Sequence, residues 1–244
     1  MKIIGIIPAR LGSTRIHAKM LANINGKPVI QHTFEHAKKA EILNDVLVAT
    51  DSSEIADVVK AFGGKVVMTS ADNKTGTDRI AEAASNIQGD VVVNIQGDEA
   101  FIAPEIIELS IKTLKDDAEA VMGTVARPIK SKEELLDRNV VKVVIDADNR
   151  ALYFSRAPIP HSKTGEMSDN IRYYHHIGIY SFWREFLLKY PKLKRSMLEE
   201  AESLEQLRAL ENGYKINVAI TNMETLKIDT INDINKARAK GGLA

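Results

Sequence analysis

Arg10-Leu11-Gly12-Ser13-Thr14-Arg15-Ile16-His17-Ala18-Lys19 brings three permanent cations and a glycine together directly after the apolar run Ile3 to Pro8. A triphosphate is the natural partner of such a stretch. Backbone N–H groups and hydroxyls at a glycine turn cradle phosphate oxygens, arginine binds them in parallel hydrogen bonds, and lysine adds a point charge. The spacing matches neither the GxxxxGK[ST] phosphate loop nor the dinucleotide GxGxxG. A solvated basic loop would explain the same charges. Further along, Gln96-Gly97-Asp98-Glu99 ends the apolar run Val91 to Ile95 with an amide, a permissive glycine and two carboxylates. Magnesium takes one or two protein carboxylates and fills its octahedron with water and phosphate, so this is a credible Mg²⁺ site, although Gly-Asp turns follow many strands. Asp229-Thr230 stands where a last strand gives way to a helix, and its plain reading is an N-cap. Lys74-Thr75-Gly76-Thr77-Asp78-Arg79 sets a glycine turn and two hydroxyls before a helix, with Thr77 as the expected cap.

These clusters need a frame, and the pattern of the chain supplies one. In the first half, short β-rich runs (Ile3 to Pro8, Val46 to Thr50, Lys65 to Met68, Val91 to Ile95) alternate with helical patterns (Pro28 to Lys39, Ser53 to Phe62, Asp78 to Asn86, Pro104 to Leu114). This is the signature of βα units on a parallel sheet buried on both faces, hence an α/β, Rossmann-like doubly wound fold. Ligands in such sheets bind beyond the carboxyl ends of the strands, and three of the four clusters above lie there. After Val121 to Ala126 the rhythm changes. Val140 to Ile145 and Ala151 to Phe154 flank Asp146-Ala147-Asp148-Asn149-Arg150, which reads as a hairpin turn in a mixed sheet. Residues 158 to 172 read as a loop, Tyr173 to Phe182 as a strand and Leu198 to Glu211 as one helix. The last strand is Lys215 to Ile220 or its neighbour Thr225 to Ile228, and the last helix Ile231 to Ala239.

With 244 residues the chain fits one domain with an insertion. The 33 acidic and 33 basic residues cancel, which argues against general nucleic-acid or membrane-surface binding. Without cysteine there is no disulfide, thiolate metal site or cysteine nucleophile. The apolar stretch at the start is too short for a signal peptide or a membrane span, so cytoplasmic residence is expected.

The motifs together resemble a known family. IIPAR-x-x-S-T-R followed by Lys19 and Asn25-Gly26-Lys27-Pro28, the turn around Thr75 to Arg79, Gln96 to Glu99, Asp229-Thr230, ALYFSRAPIP at 151 to 160, His175 to Tyr180, and Glu202 to Arg208 resemble the 3-deoxy-manno-octulosonate (Kdo) cytidylyltransferases, or CMP-Kdo synthetases. The resemblance covers essentially the whole chain. It implies a nucleotide-diphospho-sugar transferase type of sheet, with residues 130 to 185 as a dimerisation and sugar-binding insertion and a homodimer formed around its hairpin. It implies transfer of CMP from CTP to the anomeric hydroxyl of Kdo, with release of pyrophosphate, for lipopolysaccharide synthesis. Arg10, Ser13, Arg15, Lys19, Thr75, Gly76, Arg79, Gln96 and Asp98 are then the CTP contacts. Arg10, Lys19, Asp98 and Asp229 form the catalytic set, with Mg²⁺ on Asp98 and Asp229. Arg156, His176, Tyr180, Glu205 and Gln206 bind the sugar acid, and a guanidinium at 156 suits its carboxylate. Where the family usually has Pro-Gly-Lys-Pro, this chain has His17-Ala18-Lys19-Met20, and Ala100 replaces a usual proline. The alternatives are the same reaction on an 8-amino-Kdo or sialic-acid-like sugar, or a non-catalytic sugar-nucleotide-binding protein. The adjacent His175 and His176 cannot share one ion from a regular strand, because neighbouring side chains point to opposite faces.

Overall fold

The computed structural model describes residues 1–12, 16, 18–163, 167 and 170–240. In chain order the strands are β1 (Ile3–Ala9), β2 (Asn23–Ile24), β3 (Lys27–Pro28), β4 (Asp45–Thr50), β5 (Lys65–Met68), β6 (Val91–Ile95), β7 (Ala120–Pro128), β8 (Lys142–Ile145), β9 (Ala151–Ser155), β10 (Tyr174–Trp183) and β11 (Lys215–Ile220). The helices are α1 (Val29–Ala37), α2 (Ser53–Ala61), α3 (Gly76–Ser85), α4 (Pro104–Asp116), α5 (Lys132–Leu136), α6 (Arg184–Lys189), α7 (Met197–Glu202), α8 (Leu207–Glu211) and α9 (Ile231–Lys240). Among the described residues, no helix is long and apolar enough to cross a membrane. The chain divides into two compact units: 1–108 with 183–191 and 225–244, and 109–182 with 192–224.

The first unit is a parallel sheet in the order β6-β1-β4-β5. Every residue of β6 is buried and so are six of the seven in β1, as continuous apolar runs require when helices cover both faces. The chain moves outward from β1 through β4 to β5, then returns to the other side of β1 as β6. The strand order therefore reverses between β1 and β6, a topological switch point where a crevice opens at the carboxyl ends. Thr75, not Thr77, caps α3: its side chain accepts a hydrogen bond from Asp78 N at 3.1 Å, while Thr77 is the buried second residue of the helix. Pro28 is the N-cap of α1 and not its first helical residue. Thr225 to Ile228 form no strand; Ile228 instead donates its N–H to Asp98 O at 2.9 Å and packs with Ile24, Val29, Ala100, Ile234 and Ala237.

The second unit has β7 between β11, parallel to it, and β10, antiparallel. The hairpin β8–β9 joins it through β8 on β10. Its turn is the expected one: Asp146 Oδ1 accepts from the N–H groups of Asp148 and Arg150, and Asn149 takes a left-handed φ of 62°. The segment read as one helix, 198 to 211, is two. Ser203 (φ 53°) ends α7 in the left-handed region, and the chain turns through Glu205 and Gln206 before α8. Arg208, fully buried, spans that corner with hydrogen bonds to both carboxylate oxygens of Glu199 at 2.8 and 2.6 Å. Leucine spacing alone carried the continuous-helix reading, and a buried ion pair outweighs it.

Candidate active site

At the switch point of the first unit lies a cavity of about 320 Å³. Arg10 at the end of β1, Gln96, Gly97 and Asp98 at the end of β6, Thr75, Gly76 and Arg79 at the start of α3, and Lys19 and Asp229 all line it. Of the residues expected to bind nucleotide, only Ser13 and Arg15 cannot be placed, because they lie outside the described residues, as does His17. Asn73, Lys74 and Lys227 complete the polar wall.

The charges are arranged around one ammonium group. Lys19 Nζ is 2.6 Å from Asp98 Oδ2 and 3.1 Å from Asp229 Oδ1, so two carboxylates from remote segments converge on one point. Asp229 is not the helix cap: Thr230 Oγ1 accepts from Asp233 N, and Asp233 Oδ2 accepts in return from Asp229 N and Thr230 N. This reciprocal capping leaves the Asp229 carboxylate turned to Lys19. Glu99 is only 4% exposed and one of its oxygens has no hydrogen-bond partner among the described residues. Burial, followed by the neighbouring Asp98 charge, pushes its carboxyl up to about 7.

Within the unusual His17-Ala18-Lys19-Met20, Ala18 keeps a glycine-like conformation. Ala18 has φ 49° and ψ 40°, the left-handed conformation that glycine adopts freely, and it starts the 3₁₀ turn Lys19–Leu21. Met20 is buried, and its sulfur would lie 2.8 Å from a Cβ added to Gly97. Pro8 O would lie 3.0 Å from the same atom, so Gly97 is required for this close approach. Arg79 is held from behind: its guanidinium donates to Thr69 Oγ1 at 2.6 Å and pairs with Asp51 Oδ2 at 3.0 Å.

In the second unit the expected sugar-acid residues are embedded in internal contacts. His176, 6% exposed, has Nε2 3.0 Å from Thr124 Oγ1, and its ring lies against Phe154 and Tyr180 with centroids 4.9 and 5.3 Å apart. A register shift between Ile177 and Tyr180 accompanies this ring contact on one strand. His175 instead meets Glu134, with Nδ1 and Oε1 3.2 Å apart, so the two histidines do have separate partners. Burial, and then the Arg127 cation, lower His175 to about 4 against the opposing pull of Glu134. Arg156 directs Nε at Glu202 O (2.8 Å), one terminal nitrogen at Arg138 O (3.1 Å) and the other at Ser203 O (3.4 Å). Three of its donors are thus engaged with carbonyls. Gln206 is buried, its Nε2 has no hydrogen-bond partner among the described residues, and Glu205 precedes it in the turn that Arg156 braces through Ser203.

Comparisons with known proteins decide the family. The family model described as cytidylyltransferase matches residues 4–216. The 3-deoxy-manno-octulosonate cytidylyltransferase of Geobacter metallireducens is 47% identical, over 98% of each chain. The chain belongs to the 3-deoxy-manno-octulosonate cytidylyltransferase family. The corresponding protein of Geotalea uraniireducens is 46% identical over 97% of each chain. A solved CMP:2-keto-3-deoxy-manno-octonic acid synthetase complexed with CTP shares 40% identity, with a TM-score of 0.92 and 99% of each chain covered. The chain is therefore a nucleotidyltransferase with the α/β fold expected of this cytidylyltransferase family.

Sequence reasoning missed the residues that support the site of this cytidylyltransferase. Asp51 anchors Arg79. Its position just after β4 was the available signal. Lys227, two residues before Asp229, faces the carboxylates with Nζ 3.6 Å from Asp229 Oδ2; in the sequence it is one lysine among many. Glu202 Oε2 accepts from Arg156 N at 2.9 Å and Oε1 from Ser155 Oγ. Lys142, fully buried, donates to the carbonyls of Asp137, Val140 and Arg156 at 2.9, 2.6 and 2.6 Å. A lysine in an apolar strand pattern was the only hint of that bracket.

Proposed function

We propose that this protein transfers CMP from CTP to the anomeric hydroxyl of Kdo, releasing pyrophosphate, as a cytoplasmic homodimer that serves lipopolysaccharide synthesis. The observation that carries the reading is the convergence of Asp98 and Asp229 at a cation-lined cavity on the switch point of the sheet. The sugar hydroxyl oxygen forms a bond to the α-phosphorus in line, the bond from that phosphorus to the bridging oxygen of pyrophosphate breaks, and the hydroxyl proton is lost to solvent. Arg10 and Lys19 neutralise the departing pyrophosphate, joined by Arg15 beyond the described residues. Thr75, Gly76, Arg79 and Gln96 position the nucleotide, with the cytosine edge read by hydroxyl and backbone groups.

Two carboxylate oxygens reaching one point form a donor set that fits a hard divalent cation, with water and phosphate as its remaining ligands. Asp98 and Asp229 would hold Mg²⁺. When bound, it supplies electrostatic stabilisation of the α-phosphate and a lower pKa for the attacking hydroxyl. In the second unit, Arg156 offers its guanidinium to the sugar-acid carboxylate, while His176, Tyr180, Glu205 and Gln206 contact hydroxyls. The unpartnered Nε2 of Gln206 supports this, because a buried amide donor calls for an acceptor. Exposed Leu152, on hairpin strand β9, and Leu136 support the dimer surface.

Pyrophosphate release from CTP and Mg²⁺, measured with Kdo, 8-amino-Kdo and a sialic acid in parallel, tests the assignment. Kdo is expected to give the highest kcat/KM. Release with none of the acids would leave a binding protein, and preference for another acid would reassign the substrate.

A further inference from the structure

Asp98 and Asp229 do not present themselves to the cavity as a bare acidic pair. Lys19 Nζ takes one oxygen of each, at 2.6 and 3.1 Å, and Lys227 Nζ lies 3.9 Å from Asp98 Oδ2 and 3.6 Å from Asp229 Oδ2. Both ammonium groups are within ion-pair distance of the same Asp98 oxygen. Two positive charges therefore offset two negative ones where a divalent cation would need those oxygens. The lysines are not equivalent. The Lys19 side chain is 11% exposed, whereas that of Lys227 is 49% exposed and makes the longer contacts. Both line the cavity with Arg10 and Lys74, so phosphate oxygens entering it come within reach of ammonium groups on flexible stems.

We propose that Lys19 and Lys227 compete with the divalent cation for Asp98 and Asp229, that the triphosphate relieves this competition by drawing both ammonium groups onto its own oxygens, and that Lys227 is a further nucleotide-binding residue. Metal and nucleotide then bind with positive coupling, and each raises the affinity for the other by the same factor. The carboxylates hold a divalent cation weakly until phosphates arrive. The inference rests on Asp98 and Asp229 being the metal carboxylates, and a double variant separates failure of the inference from failure of that assignment.

Mn²⁺ is titrated into the nucleotide-free full chain, with free Mn²⁺ followed by electron paramagnetic resonance. Wild type, Lys19→Met, Lys227→Met and the double variant Lys19→Met/Asp98→Asn are compared. Removing the close ammonium is expected to tighten Mn²⁺ binding about tenfold, and removing the distant one about threefold. Asp98→Asn is expected to abolish the gain. Calorimetric titration of CTP in the presence of a chelator should show weaker binding to Lys227→Met than to wild type. Unchanged or weaker Mn²⁺ affinity in both single variants overturns the competition. Unchanged CTP affinity in Lys227→Met removes that lysine from the nucleotide site. A gain that survives Asp98→Asn overturns the assignment of the carboxylates themselves. Because Lys227 is half exposed, its variant stays informative even if Lys19→Met fails to fold.

Discussion

The two units handle their polar residues in opposite ways. In the first, Lys19, Asp98, Asp229 and Lys227 balance one another at the wall of a cavity, and their side chains remain partly exposed. In the second, Arg156, His176, Lys142, Glu202 and Arg208 are tied to carbonyls, hydroxyls and carboxylates within the unit. Charges that balance one another at a cavity wall suit a polyanion that arrives and departs. A fixed network suits the discrimination of hydroxyl positions, where a group held off by an ångström loses its selectivity. Substitutions in the first unit should therefore cost activity more than stability, while those in the second should cost stability as well.

The largest stability effect is expected at the α7–α8 corner. Arg208→Met leaves Glu199 buried without its partner and should cost about 3–5 kcal/mol in denaturant unfolding. A loss below about 1 kcal/mol would mean that the corner does not depend on the pair. Next comes acid sensitivity. His175 has a folded pKa of about 4 against 6.5 for the ordinary side chain, so the unfolded chain takes up a proton that the folded one refuses. Stability from this group is present above about pH 6.5 and falls by roughly 3 kcal/mol as pH drops towards 4. Unfolding measured at several pH values should show a shallower acid loss in His175→Gln, and identical slopes would refute the assignment.

Effects in the first unit should be smaller on stability and more specific in kinetics. Asp51→Asn loosens Arg79 and should raise the KM for CTP about tenfold while leaving that for Kdo unchanged. Equal changes in both would point to a general loss of structure. Ala18→Gly removes a left-handed φ from a residue with a Cβ and should stabilise the protein by about 1 kcal/mol in thermal or denaturant unfolding. Destabilisation would show that Ala18 contributes packing that outweighs its strain.

The same contrast explains what could be read from the sequence. Buried parallel strands are continuous apolar runs, and their carboxyl ends fall where the runs stop, so Arg10, Gln96 and Asp98 could be found one strand at a time, whereas Asp229 follows a segment that forms no strand. The residues proposed for the sugar acid came through family resemblance, since Arg156 reads locally as a surface cation. Lys142 meets Arg156 O across a hairpin, Glu202 reaches Ser155 from a distant helix, and Arg208 finds Glu199 only because the helix breaks at Ser203. Such pairings depend on tertiary packing that periodicity does not encode. The exchange of caps between Thr230 and Asp233 is likewise a matter of one residue's offset, and it decided whether Asp229 capped a helix or faced a lysine.

The central claim is that the carboxylates at the switch point carry the chemistry. Its most direct test is CMP-Kdo formation from CTP, Kdo and Mg²⁺, followed by phosphorus NMR for wild type and for Asp98→Asn, with unfolding curves for both. Wild type should release pyrophosphate and form CMP-Kdo, while Asp98→Asn should be slower by on the order of 10³-fold with its fold intact. Turnover by Asp98→Asn at close to the wild-type rate would contradict the account.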